Sequence, residues 1–295
     1  IKGIGPYSEE KLNALGIFTY AQLANFDRAT EDEVNDAIEH YKGRIRRDEW
    51  VKQAQDIIGA QAKADEAALQ AAEEVAVLDH LSEGRVILGI GRGMDPKMFS
   101  AFGVNPKRKR SIFNEHLAIM KRAWAGKPIA LDSGETVTLA PLPVQQPHPE
   151  LWIAAFGPLA LKQAGQLGLP YLASPGETVE KLKANYSVFK TACIESGQTV
   201  PTITPVMRTL FVSESPTVVD RVRTGLAASP SREPAAVEDW AIIGSKRQVA
   251  DQIMQLRAAL GVTHLVARGR LPAVDTPDLM RSLESLADIR DTLLD

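Results

Sequence analysis

A single cysteine, Cys193, stands among 295 residues, so no intramolecular disulfide can close and no cysteine-based metal motif can form. No apolar run approaches the roughly 20 residues of a membrane span, and no signal-like segment is present. These absences predict a cytoplasmic chain that does not enter a membrane. Charge of neither sign dominates: 34 Lys+Arg against 37 Asp+Glu leave a net −3. That balance gives no reason for a chain-wide nucleic-acid or lipid surface, and the expected partners are small molecules or proteins. Histidine is also scarce. His80, His116, His148 and His264 match no metal-ligand spacing, so no metal is expected, and each reads as a packed, half-exposed or loop imidazole rather than a catalytic one. The first residue is Ile1 rather than Met, which reads as a fragment lacking upstream residues.

What is present divides into two unlike parts. Residues 1–70 lack a convincing strand and carry 9 Lys+Arg against 13 Asp+Glu, a net −4. "IKGIGPYSEEKLNALGIFTYAQLANF" reads as a glycine hairpin, a helix started by Ser8 with Glu9 and Glu10 at its positive end, a stop at Gly16 and a second helix from about Thr19. The segment from Val51 to Leu81 has no proline and much alanine, and it predicts one long helix or two in succession.

Beyond it, "GRVILGIGRGMDPKMFSAFG" at 84–103 raises the possibility of a dinucleotide loop. The fingerprint G-x-G-x-x-G must open a helix directly after a strand. Gly89 and Gly91 fit, but Met94 occupies the third position and Pro96 falls where the helix should be under way. The Rossmann reading is therefore rejected in favour of a strand, Arg85 to Ile90, ending in a permissive loop that presents Arg92. Four further strands are expected in "ELWIAAF", "LPYLAS", "TITPVMRTLFVSE" and "THLVARG", each followed by a helical pattern. A Ser/Pro/Glu-rich loop spans 229–239. Such alternation builds a parallel sheet with helical crossovers.

Two resemblances follow from quoted residues. "KGIGPYSEEKLNALGI" and "YKGRIRRDEWVKQA" resemble the helix-hairpin-helix modules appended to some respiratory-complex subunits. In DNA-binding members the amides around Gly3-Ile4-Gly5 hold a phosphate, aided by cations such as Lys2 and Lys11. The acidic balance here implies weak or no nucleic-acid binding and favours a protein-interaction or packing module.

The second resemblance is to the bacterial luciferase-like, flavin-dependent monooxygenases. It runs from about Ala72 onward through "AEEVAVLDHLSEGRVILGIGRG", "FSAFGV", "FNEHLAIMKRAW", "PHPELWIAA" and "AGQLGLPYLAS". The implied fold is α/β: a partial TIM (β/α)8-type barrel with about five strands retained over 71–295, preceded by a small all-α helix-hairpin-helix domain and helical linker over 1–70. The family's first three βα units have no counterpart here, so no catalytic residue is assigned.

The resemblance implies reduced FMN as cofactor, with F420 as the alternative in related reductases, a small organic substrate, a separate flavin reductase and a homodimer. It sets Arg92 and Arg110 beside the flavin phosphate. Fixed guanidinium donors suit a phosphate dianion, and Gly91 lets a ligand approach the backbone. Arg110 also reads as part of a solvated basic loop with Lys107, Arg108 and Lys109. Ala155 and Phe156 would lie along the flavin, Phe156 equally being plain core. Gly157 stands where many members have a serine. Ser174 belongs either to the isoalloxazine pocket or to the cap of the next helix. A non-catalytic fusion of an interaction module with a barrel remnant is the alternative reading.

Overall fold

The computed structural model describes residues 1–38, 43–131, 135–228, 235–268, 271 and 274–294, the side chains of 60–64 and 294 excepted. Tyr41 and Lys42 of the second hairpin segment, and 229–234 of the Ser/Pro/Glu-rich loop, lie outside the described residues. Two compact units divide the chain: Ile1–Val86 with Ser111–Pro149, and Ile87–Arg110 with Glu150–Asp295.

The chain opens with the helices α1 (Pro6–Ala14), α2 (Tyr20–Ala24), α3 (Arg28–Ala37), α4 (Arg44–Arg47) and α5 (Trp50–Leu81). The first begins at Pro6 rather than Ser8. Gly5 is the extended cap, and proline takes the first helical turn, where its missing N–H leaves nothing unpaired. Ser8 is buried inside that turn. At α2 the Thr19 hydroxyl accepts the Gln22 N–H at 3.2 Å while the Gln22 side chain accepts the Thr19 N–H at 3.0 Å, a reciprocal cap. The α5 segment is one helix of 32 residues.

Leu12, Leu23, Val34, Ile45 and Trp50 form the core of this hairpin region. Gly3 is held at φ +94°, and a Cβ there would sit 2.8 Å from Asp48 Oδ2 and 2.9 Å from Trp50 Nε1. The turn thus lies directly on the start of α5, a position only glycine can take.

The strands and helices that follow are β1 (Ile87–Gly91), α6 (Pro96–Ala101), α7 (Lys109–Trp124), β2 (Ile129–Ala130), β3 (Thr136–Val137), β4 (Glu150–Ala154), α8 (Pro158–Leu167), β5 (Tyr171–Leu172) and α9 (Val179–Glu195). They continue with β6 (Pro205–Val212), α10 (Pro216–Ala227), α11 (Val237–Trp240), β7 (Ala241–Gly244), α12 (Lys246–Leu260), β8 (His264–Arg268) and α13 (Thr276–Leu294). Strand β1 starts two residues later than its apolar run suggests. Glu83 and Gly84 both have positive φ, and Ser82 Oγ takes the Arg85 N–H at 3.2 Å, which keeps Arg85 in a turn. Sequence reasoning missed β7 and the short antiparallel pair β2–β3.

Parallel pairing joins β1 to β4, β4 to β5, and β6 to both β7 and β8. A parallel bridge between Ala173 and Val206 links β5 to β6. The five expected strands consequently stand in chain order. On β6, Pro205 and Met207 bond to Ala173 and Ser213 bonds to Gly244, so β7 takes up the same edge of β6 that β5 leaves. Strand β8 occupies the other edge, where Thr204 C=O accepts from Thr263 and His264. Phe211, Ala241 and Ile243 pack beneath Val219, Val222 and Leu226 of α10.

In the first unit a buried carboxylate ties the end of α5 to a distant loop. Asp79 Oδ2 accepts the Gln145 N–H at 2.8 Å and Oδ1 accepts Gln145 Nε2 at 2.7 Å, while Nε2 also reaches Val86 C=O at 2.8 Å. Burial opposes ionisation of Asp79, but bonds from Gln145 and from the backbone of Val86 and Val144 outweigh it and hold the carboxyl below its usual range. We expect Asp79→Ala to lower stability by roughly 1–3 kcal/mol at pH 7, since it strands buried donors. A group with a depressed folded pKa contributes fully above its unfolded value of about 3.9 and loses that contribution as pH falls through the lower folded value. Denaturant melts of both proteins should therefore converge in strong acid; a constant gap down to pH 2 would contradict the assignment.

Candidate functional site

Parallel register brings the carboxyl ends of three strands together. Gly91 of β1 stands opposite Ala154 of β4, and Ala154 opposite Leu172 of β5. The residues just beyond this row are Arg92, the run Ala155-Phe156-Gly157, and Ser174. All belong to the second compact unit. In open parallel sheets this rim is where ligands bind, because loops and helix starts converge there.

Arg92 is half-buried, and no described residue gives it a hydrogen bond or ion pair. Burial, and then the charge of nearby Arg110, hold its guanidinium below the ordinary arginine value. Arg110 donates to Gln166 Oε1 of α8 at 3.1 Å, and among the described residues no carboxylate is bonded to it. Two guanidiniums thus stand near enough to feel each other's charge, neither with an acidic partner among the described residues. Nearby, the Lys109 ammonium lies 5.6 Å from the centre of the Phe99 ring.

Ala155 is buried, whereas Phe156 is 48 % exposed at the strand end. Gly157 caps α8 at φ 81°, ψ 164°, an angle pair open to glycine alone. Its carbonyl accepts the Ala160 and Leu161 N–H groups at 3.1 Å each, so neither is free to hold an anion. Ser174 is half-buried and does not cap α9; that duty falls to Thr178, whose hydroxyl accepts the Lys181 N–H at 3.2 Å. The Ser174 N–H instead donates to the Glu177 carboxylate.

A buried polar cluster that sequence reasoning missed supports this loop. Glu177 Oε1 accepts Asn185 Nδ2 at 2.7 Å, and the Tyr171 hydroxyl lies 3.4 Å from Oε2. Arg208 of β6, 1 % exposed, donates Nη1 to Glu177 C=O at 2.6 Å. Burial raises the pKa of Glu177, Tyr171 and Tyr186 and lowers that of Arg208. One signal was available: an arginine inside the otherwise apolar strand "PVMRTLFV".

The histidines stand apart. His80 Nε2 pairs with Leu142 C=O at 2.8 Å, His148 Nδ1 with Pro149 C=O at 2.8 Å, and His264 lies edge-on to Trp152 at 5.3 Å. His116 is half-buried in α7, and its buried Nε2 has no partner among the described residues. Among the described residues no three His, Cys, Asp or Glu side chains are grouped to hold a metal, and no helix is long and apolar enough to cross a membrane.

Because the folded pKa of Glu177 is raised, its burial favours the protonated form. Its effect on stability is least costly below the unfolded value of about 4.3 and worsens as pH rises towards the folded one. Glu177→Gln should therefore gain thermal stability relative to the parent between pH 4 and pH 7. A gap independent of pH would show that the carboxyl titrates normally.

Comparison with known proteins gives a family for each part of the chain. The sequence model of the luciferase-like monooxygenases matches residues 67–226, and that of the RS2/RL21/YNQ2 HHH domain matches residues 1–58. Protein y4wF of Sinorhizobium fredii is 36 % identical over 104 residues, covering 34 % of this chain and 30 % of that protein. The F420-dependent glucose-6-phosphate dehydrogenase of Beutenbergia cavernae is 31 % identical over 112 residues, 36 % of this chain and 33 % of the enzyme. The matches thus span about a third of these curated relatives.

Among solved structures, monooxygenase RslO1 from Streptomyces bottropensis superposes with a TM-score of 0.63 at 21 % identity, covering 77 % of this chain and 74 % of that one. The oxygenating constituent of 3,6-diketocamphane monooxygenase from Pseudomonas putida, in complex with FMN, gives 0.59 at 19 % identity and 74 % of each chain. With its family model spanning more than half of the 295 residues, the chain belongs to the luciferase-like monooxygenase family.

Proposed function

We propose that residues 71–295 are the barrel portion of a flavin-dependent oxidoreductase, a partial (β/α)8-type barrel, and that residues 1–70 form a helix-hairpin-helix module with a helical linker. The observation that carries the reading is the pair Arg92, just beyond β1, and Arg110, in the first turn of α7, two neighbouring guanidiniums with no bonded carboxylate among the described residues. Such a pair fits the phosphate of FMN, and the half-exposed Phe156 ring at the end of β4 fits an aromatic cofactor edge. Reduced FMN is the favoured cofactor and F420 the alternative, both carried by proteins similar to this one. When bound, the flavin would supply the redox chemistry, with O2 as oxidant in the FMN branch.

The chain's own residues bind and orient. Arg92 and Arg110 hold the phosphate, Gly91 and Gly157 allow close approach of the backbone, Ala155 and Phe156 shape the apolar side, and the Glu177 cluster fixes the loop bearing Ser174. A small organic substrate, a separate flavin reductase, a homodimeric state and a cytoplasmic setting complete the proposal.

A second reading has one observation in its favour. Among the described residues β1 pairs only with β4 and β8 only with β6, so both outer edges of the strand series lack a partner. A barrel remnant fused to an interaction module, without catalysis, would look the same. Quenching of FMN fluorescence by the purified chain separates the two readings.

If the first holds, Arg92→Ala should weaken FMN binding about tenfold or more, since a charge-assisted bond contributes roughly 1.5–3 kcal/mol. Lys107→Ala should change it little. Riboflavin, lacking the phosphate, should bind both proteins alike, and equal losses for riboflavin and FMN would show that Arg92 supports the fold or the ring instead.

The hairpin module is read as a packing or protein-contact unit rather than a DNA clamp. Arg46 is paired to Glu31 at 2.6 Å and Asp32 at 2.7 Å, and Asp48 takes Arg44 at 3.3 Å and Arg47 at 2.8 Å. The Lys2 backbone N–H, one of the turn's amides, is bonded to Gln53 Oε1 at 2.7 Å. With Arg44, Arg46 and Arg47 paired to carboxylates and a net acidic balance, little counterion release from a duplex is expected, so fluorescence anisotropy at physiological salt should detect no appreciable DNA binding. Micromolar affinity with a steep salt slope would overturn this.

A further inference from the structure

The strand series β1-β4-β5-β6-β8 runs in one direction and ends in two open edges. Among the described residues β1 bonds only to β4 and β8 only to β6, and no other described backbone group bonds to the outer side of Ile87–Gly91 or of His264–Arg268. Neither edge carries the usual protection: β1 reads "ILGIG" and the middle of β8 "LVA", without a charge or a proline. The series also curls. The rings of Trp152 on β4 and His264 on β8 lie 5.3 Å apart, although strands three places apart in a flat sheet stand about 14 Å from one another. The face bearing these two rings is therefore the concave one. Five strands are too few to close on themselves, since about eight leave an interior just wide enough for side chains.

Register sorts the edge residues into two layers. Gly89 stands opposite Trp152 on the concave face, while Leu88 and Ile90, opposite Leu151 and Ile153, point to the convex one. On β8, Leu265 and Ala267 alternate with His264 and so also point to the convex side, where they line a groove of about 1050 Å³ between α12 and α13. Met254 of α12 and Leu283 of α13 stand exposed in its wall. Leu88, Ile90 and Leu265 are half-exposed. Edge strand β8 thus borders an apolar groove, and edge strand β1 carries apolar side chains of the same layer.

A foreign strand would cover one of these edges and leave the other open. A second copy of this chain, turned about a two-fold axis along the strands, offers its β1 to β8 and its β8 to β1. That operator keeps every pair parallel, sets the partner's convex layer against the groove, and closes on itself with two equal contacts. A two-fold axis across the strands pairs like edges only and leaves the unlike ones open. We propose that two copies of this chain join edge to edge, β8 of each pairing in parallel with β1 of the other, with Leu88 and Ile90 packed into the layer of the α12–α13 groove. The proposal specifies the interface of the homodimer in the preceding reading and needs no cofactor: FMN quenching by a chain that stays monomeric would overturn it and leave the flavin reading standing.

The test uses the full purified chain in light-scattering and sedimentation measurements, where a discrete dimer is expected. Hydrogen exchange should slow in β1 and β8 together as rising concentration carries the chain from monomer to dimer, with β4 unchanged. Ile90→Lys on one edge and Leu265→Glu on the other should each weaken the dimer about tenfold or more, with circular dichroism verifying their folds. An equimolar mixture of the two should recover most of that loss, because one contact then joins two unaltered edges and the other brings opposite charges together. Should either variant fail to fold, hydrogen exchange of the parent chain decides the matter. A monomer at every concentration, oligomers that lengthen as concentration rises, or protection of one edge without the other would each overturn the proposal. So would a dimer indifferent to either folded variant, or a mixture no more dimeric than its components.

Discussion

Parallel pairing is the constraint on which the second unit depends. Two parallel strands cannot be joined by a tight turn, so the links from β4 to β5, β5 to β6 and β6 to β8 must travel back along the sheet, and helices make most of that return. Every strand then ends at the same rim. Arg92, Phe156 and Ser174 are distant in the chain, yet register sets them one after another along that rim. The candidate site is a consequence of strand direction before it is a consequence of any side chain.

The loop after β5 shows how the rim is held. A serine, a proline and a glycine in succession have little reason to keep one conformation, and β5 itself is only two residues long. Order comes from beneath. Glu177 folds its carboxylate back onto the Ser174 N–H and Asn185, and its carbonyl receives the guanidinium of Arg208 from the neighbouring strand. Burying these groups costs solvation that their mutual bonds offset only in part, and Arg208 retains one unpaired nitrogen. Positional precision at the strand ends is therefore obtained at some expense of stability, as is common where a site must be held still.

Much of this was legible in the sequence, for reasons that differ by element. Strands β1, β4, β6 and β8 announce themselves as short apolar runs closed by Gly, Pro or Ser, and α9, α12 and α13 as long periodic segments. Strand β7 was not legible because "AIIG" is four residues long and follows directly on the single turn of α11; only the free edge of β6 beyond β5 makes it a strand. The start of α1 differs from the expected one because serine and two glutamates are a common start signal, while the actual cap is Gly5 with Pro6 in the first helical turn. At the site, Arg92 and Arg110 were readable as cations among glycines and in a basic loop. Their lack of acidic partners was not, because pairing depends on which distant carboxylates the fold brings near. The Arg208 cluster was hidden for the same reason: a lone charge in an apolar strand signals that something buried must answer it, without saying what.

Among the described residues β1 pairs only with β4 and β8 only with β6. A parallel strand with one unpaired side exposes amide and carbonyl groups, and its side chains here are half-exposed, as in Leu88, Ile90, Leu265 and Val266. The strands between them are better shielded: β4 has three fully buried residues, and seven of the eight residues of β6 are buried. Burial therefore falls from the middle of the strand series towards both ends. The rim inherits that gradient. Ser174 and its supporting cluster rest on the buried centre, whereas Arg92 follows the least shielded strand of the series, so the Arg92 end of the candidate site is fixed less by β1 itself than by the pairing of Gly91 with Ala154 and by Arg110 held against Gln166.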